Sequence, residues 1–235
     1  MSRVETPRQR ASAHLGSTLR SVLIAPAVGF PGAFKAADRR ERAGARPAEG
    51  VAPFVLGALG GAALFVLWLK LGGLLGLRHV ARSQYRSEFV VGSMIAGALL
   101  SLVAQGLWGS AGARVARLMG GRASPRDLRI VWGAAAFPYV LSLVMLLPLD
   151  LAIVGEDTFT TEPLRDPVAT GWAALSIALA TVLALWGAWL FVRGVGVAAE
   201  LPLARAAAGA LIAALCFAGV IAFAIAGAVM MEASL

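Results

Sequence analysis

The chain has 235 residues, 59% of them hydrophobic and 14% charged, with a formal net charge of +8. At a mean hydropathy of +0.78 this composition excludes a water-soluble globular domain and excludes disorder, because neither leaves so much apolar surface in water. The basic excess does not point to nucleic acid, since the arginines flank apolar stretches, where they set topology and meet anionic lipid headgroups.

Residues 1–50 form a basic N-terminal region. Within it Leu15, Leu19, Val22 and Leu23 recur at helical spacing with Arg20 off that stripe, which predicts a short amphipathic helix in the membrane interface, the alternative being a partly disordered basic tail whose leucines touch the spans only transiently. Pro26 should end it, and Phe30 and Phe34, four residues apart, extend an apolar edge along the membrane surface toward Arg39, Arg40 and Arg42. The first apolar run starts after about 50 residues and is too long for the core of a secretory signal, so no cleavable leader is expected.

Five apolar stretches follow, at residues 51–77, 89–112, 128–155, 168–195 and 206–231, ahead of a short tail at 232–235. A hydrocarbon core of about 30 Å needs roughly 20 helical residues per crossing, and each stretch is long enough. Backbone N–H and C=O groups in lipid must be satisfied within the protein, which a helix does within one segment. The expected fold is therefore all-α, a polytopic membrane bundle of five transmembrane helices. The loops leave no room for a separate catalytic domain, so any chemistry must sit among the helices. Small residues recur four apart at Gly57 and Gly61, at Gly92 and Ala96, and along Ala218, Ala222 and Ala226, with Gly219 and Gly227 alongside. Such faces let helices approach closely, more often within the bundle than in a homo-oligomer.

The connection from Arg114 to Arg129 carries the most local information. Gly120-Gly121 permits a sharp turn, and Ser124-Pro125-Arg126-Asp127 reads as an N-cap, a proline at the first helical position and an acidic residue three after the cap. Arg114, Arg117, Arg122 and Arg126, with the turn at Gly120 and Gly121, are the candidate contacts to lipid headgroups or to a partner protein.

In the third span Pro138 and Pro148 are candidate hinges, with packing around curved neighbours as the simpler role. Asp150, just after Pro148, is the best candidate for an intramembrane polar site, although it and Lys70 both lie near span ends, from which their charges can reach the interface. Arg193, Glu200 and Arg205 bracket the cytoplasmic ends of the fourth and fifth spans, and ionisable groups are otherwise almost missing from the span interiors. His14 and His79 have no companion ligands, the intramembrane serines have no base at matching depth, and no phosphate-binding loop occurs, so no metal, cofactor or catalytic centre is expected. Cys216 lies alone within a span.

Sixteen of the 21 Lys and Arg residues fall in the N-terminal region and in the second and fourth connections; the other five lie in the first and third connections or at Lys70. The third connection is acidic, with Glu156, Asp157, Glu162 and Asp166 around Arg165. The positive-inside rule then puts the N-terminus in the cytoplasm and the C-terminus outside.

Three segments resemble the Yip family of multi-span membrane proteins. They are Leu23-Ile24-Ala25-Pro26 with Phe30 and Phe34; Arg117-Leu118-Met119-Gly120-Gly121-Arg122-Ala123-Ser124 with Asp127-Leu128-Arg129 and Phe137-Pro138; and Leu185-Trp186 with Arg193-Gly194-Val195 and Glu200-Leu201-Pro202. The Leu-Pro pair departs from the commoner polar pair of the family. The resemblance, over roughly residues 20–230, implies five spans, a cytoplasmic N-terminus and no enzymatic activity; the Ala- and Arg-rich composition looks bacterial. The expected function is a non-enzymatic scaffold of the bacterial inner membrane that uses its basic face toward anionic lipids or a protein partner. The alternative is a small transporter or permease subunit with a kinked third helix.

Overall fold

A computed structural model describes residues 20–26, 29–35, 51–74, 87–159, 166–212 and 215. Every regular element among them is a helix. In chain order these are helical segments at 20–24 and 29–35, then α1 (Ala52–Leu74), α2 (Ser87–Leu118) and α3 (Pro125–Leu141). A π turn (Ser142–Leu146) joins α3 to α4 (Leu147–Ile153), and a 3-10 turn (Gly155–Phe159) follows. α5 (Pro167–Ala199) and α6 (Leu203–Ile212) complete the described chain.

Among the described residues, four helices are long and apolar enough to cross a membrane: Ala52–Lys70, Val90–Leu118, Pro125–Ile153 and Pro167–Ala199. Their outward faces carry large apolar side chains such as Trp68, Leu99, Val103, Val182 and Leu185, a surface that only lipid covers without a large hydration cost. The protein is a multi-pass membrane protein. The fifth expected span opens with α6, three residues earlier than its apolar run, and the rest of it lies outside the described residues, as do the small residues at 218–227.

Lipid supplies little hydrophobic drive between helices, so close approach at small residues holds the bundle. Gly61 of α1 and Gly97 of α2 lie against each other backbone to backbone: a Cβ on Gly97 would come within 2.6 Å of the Gly61 carbonyl oxygen. Gly60 meets Ala136, Gly133 lies on Pro53, and Gly187 lies on the Tyr139 ring and the Ala135 carbonyl. α3 thus threads between α1 and α5. The pair Gly92 and Ala96 is exposed and has no such neighbour.

Polar side chains pin the same crossings. Gln105, fully buried, donates through Nε2 to the Pro53 carbonyl (3.1 Å) and the Arg129 carbonyl (3.0 Å), joining α2 to the first turns of α1 and α3. Ser101 donates to the Gly57 carbonyl at 2.6 Å, and Tyr139 donates to the Ala184 carbonyl at 3.0 Å. Each bond satisfies a group for which hydrocarbon offers no partner.

The N-terminal segment corrects the expectation of a helix lying on the membrane surface. Phe30 is fully buried, wedged against Val131 of α3 and Gly194 of α5, and stacks on Phe34 at 5.9 Å. Val22 joins the same core with Trp108, Leu128 and Val195. Val22 faces the bundle, Leu23 is half-buried and Ile24 is exposed; Leu15 and Leu19 lie outside the described residues.

Candidate functional site

Two sites emerge, one at each end of the bundle. At the first, α2 and α5 end side by side in the same motif. Gly120 takes the left-handed conformation (φ 86°), Gly121 N–H returns to the Ala116 carbonyl (2.8 Å) and Gly120 N–H to the Arg117 carbonyl (3.0 Å). In α5 the left-handed position is Glu200 (φ 55°), Leu201 N–H returns to the Gly196 carbonyl (2.9 Å) and Glu200 N–H to Val197 (3.4 Å). Both are Schellman closures, which satisfy the last carbonyls of each helix.

The two closures are bonded together. Arg122 N–H donates to the Ala199 carbonyl at 2.8 Å, and Arg205 reaches from α6 to the Met119 carbonyl at 3.3 Å. Gly121 is needed for this approach, because a Cβ there would fall on the Ala199 carbonyl. The paired glycines thus do different work: Gly120 supplies the positive φ and Gly121 the close contact. Ser124 then caps α3, its hydroxyl accepting from Asp127 N–H at 3.1 Å and donating to the Asp127 carboxylate at 2.6 Å.

This platform presents Arg114, Arg117 and Arg122, all exposed, with Arg126 half-buried at the start of α3. Arg117 bonds the Ala113 carbonyl through Nε at 3.2 Å. Leu118 stands 87% exposed among these arginines. Two helix C-termini, carrying partial negative charge, lie beneath the cluster and favour cations there. A short way back along α5, Arg193 lies over the Trp189 ring at 5.9 Å, an arrangement suited to the headgroup level.

The opposite end holds a polar cluster around Asp150, the candidate polar site of the sequence. Lys70 and Asp150 do not reach for the interface. They form an ion pair inside the protein, with side chains 7% and 2% exposed. Lys70 also donates to Ser176 Oγ at 2.9 Å, and Trp172 donates through Nε1 to Asp150 Oδ1 at 3.0 Å. Ser176 is fully buried. The cluster joins α1, α4 and α5, and Thr158 of the 3-10 turn donates to the Asp150 backbone carbonyl at 3.3 Å. Charges held this deep are mutually neutralised, as low-dielectric surroundings require. The signal in the sequence is two ionisable residues of opposite sign at the same ends of the first and third spans; taken singly, each passes for an interfacial charge.

The hinge candidates separate. Pro138 is buried and α3 runs through it without a break, whereas Pro148 is exposed at the start of α4. Between them the helix widens to the π turn, in which Leu147 N–H reaches back to the Ser142 carbonyl. Beside that turn lies a small cavity of ≈ 10 Å³ lined by Val66, Lys70, Ser142, Leu146 and Leu147 among others, about the space of one water molecule.

Among the described residues, no three His, Cys, Asp or Glu residues gather as metal ligands would. Residues 20–226 match the family model of the Yip1 domain. No curated protein and no solved structure matches the chain.

Proposed function

We propose a non-enzymatic scaffold role for this chain, which belongs to the Yip1 domain family: its arginine platform engages anionic lipid headgroups or a partner protein in a bacterial inner membrane. The observation that carries this reading is the union of the second and fourth connections through the Arg122 to Ala199 bond, which makes the exposed arginines one preorganised surface and not separate tails. Preorganisation lowers the ordering cost of binding. Each basic residue at an anionic surface contributes about 1 kcal/mol.

Reversing charge at Arg117→Glu and Arg122→Glu together is expected to lower retention of an anionic phospholipid by the purified protein at least about tenfold, while zwitterionic lipid is retained as before. Native mass spectrometry with defined lipids measures this, and equal retention by the variant would sink the lipid arm of the reading. Arginine asymmetry further assigns the platform and the N-terminus to the cytoplasm and the C-terminus to the outside. Labelling of Ser234→Cys by a membrane-impermeant thiol reagent, in a Cys216→Ala background, should occur only from the outer side; labelling from the cytosol would reverse the assignment.

A further inference from the structure

Helix contact differs sharply between the two halves of the third span. α3 is held by backbone-close contacts at Gly60, Gly133, Gly187 and Gly194 and by the Gln105 and Tyr139 hydrogen bonds. Past Pro138 no described glycine brings another helix that close, and a cavity of about one water molecule lies between the π turn and α1. Two kinds of contact tie this half there: Lys70 from α1 and Trp172 from α5, both on Asp150, and a small apolar cluster in which Leu143 and Leu147 pack against Val66, Leu69 and Phe159.

Apolar side chains of similar volume would hold such a site as firmly as a buried ion pair, or more so, and removing one partner leaves a costly uncompensated charge. Strength alone therefore does not account for a charge pair at this position. A π turn flanked by two prolines is a natural place for a helix to bend, because its hydrogen-bond ladder is already interrupted.

We propose that the Lys70–Asp150 pair is a releasable latch, and that the π turn Ser142–Leu146 is the hinge on which α4 swings away from α1 and α5 when the latch opens. The cavity beside the turn gives the hinge room to rearrange, while α3 stays fixed at the platform end. The device thus confines motion to the half of the bundle remote from the arginines.

The test uses the full chain with Cys216→Ala in nanodiscs. Spin labels at Trp68→Cys and Leu151→Cys, both on exposed positions of α1 and α4, report the hinge end; labels at Val55→Cys and Leu107→Cys, likewise exposed, report the fixed end. Asp150→Asn or Lys70→Met should lengthen the first distance by about 3 Å, the displacement of a bend of about 20° acting over the roughly 10 Å of α4, and leave the second unchanged. Hydrogen exchange supplies a readout that does not depend on the single variants folding. In the paired apolar variant K70M/D150L the amides of α4 should exchange at least about tenfold more slowly than in the unmodified chain, because a latch that cannot open removes the excursion. Single variants with unshifted distances, equal shifts at both label pairs, or equal α4 exchange in K70M/D150L and the unmodified chain would each overturn the latch.

Discussion

Replacing Asp150 with asparagine is expected to lower the stability of the bundle by about 3–5 kcal/mol, the cost of leaving a buried charge without its partner. Lys70 has Asp150 as its ion-pair partner and Ser176 Oγ as its hydrogen-bond acceptor. After the substitution a neutral amide faces the ammonium, and the low-dielectric surroundings no longer receive a compensating negative charge. Lys70→Met should be comparably destabilising, because among the described residues it leaves the Asp150 carboxylate with the Trp172 N–H as its one side-chain donor.

The double variant K70M/D150L should recover the whole loss, since two apolar side chains of matching volume remove both charges together. For a chain of this size 3–5 kcal/mol corresponds to a fall of about 10 °C in Tm. Thermal unfolding in one detergent, with all three variants beside the unmodified chain, measures the cycle. Additive losses in the double variant would mean that the two side chains do not act as a pair. A Tm unchanged in both single variants would mean that they are not buried together.

Leucine at Gly61 should be at least as damaging, by about 4 kcal/mol or more, through a different mechanism. The atom that a Cβ meets there is the Gly97 carbonyl, with the Ser101 side chain beside it. Neither can rotate away, because Gly97 is helix backbone and Ser101 is bonded to the Gly57 carbonyl. The only relief is separation of α1 from α2, which would also pull Gln105 off the Pro53 carbonyl. Gly92→Leu is the matched control: it lies on the same helix as Gly97, and an added Cβ meets no atom within 4 Å. The expected pattern is loss of the folded, monodisperse form on size-exclusion chromatography for Gly61→Leu and a profile like that of the unmodified chain for Gly92→Leu. Similar behaviour of the two variants would show that the α1–α2 crossing does not depend on backbone contact.

The turn chemistry of the second connection was legible because it is local. Ser124 caps α3 and Gly120 takes a positive φ for reasons contained within a few residues of chain. The tie from Arg122 to Ala199 was not legible, since it joins residues from two connections far apart in sequence. The burial of Phe30 is hidden from the sequence for a related reason. A phenylalanine beside arginines on the edge of a span is equally consistent with an interfacial anchor and a core wedge, and only the small size of Gly194 on α5 opens the space that buries it.

What the sequence alone determined is the class of solvent: long apolar runs separated by arginine-rich connections can exist only as helices in a bilayer, because each helix satisfies its own backbone. Which residues meet across the bundle was decided by tertiary structure. Lys70, Asp150, Trp172 and Ser176 come together because α1, α4 and α5 converge at one end. No periodicity within a single span records that depth. Burial turned an ordinary pair of span-end charges into a mutual requirement, since a charge withdrawn from water must find its counter-charge inside the protein.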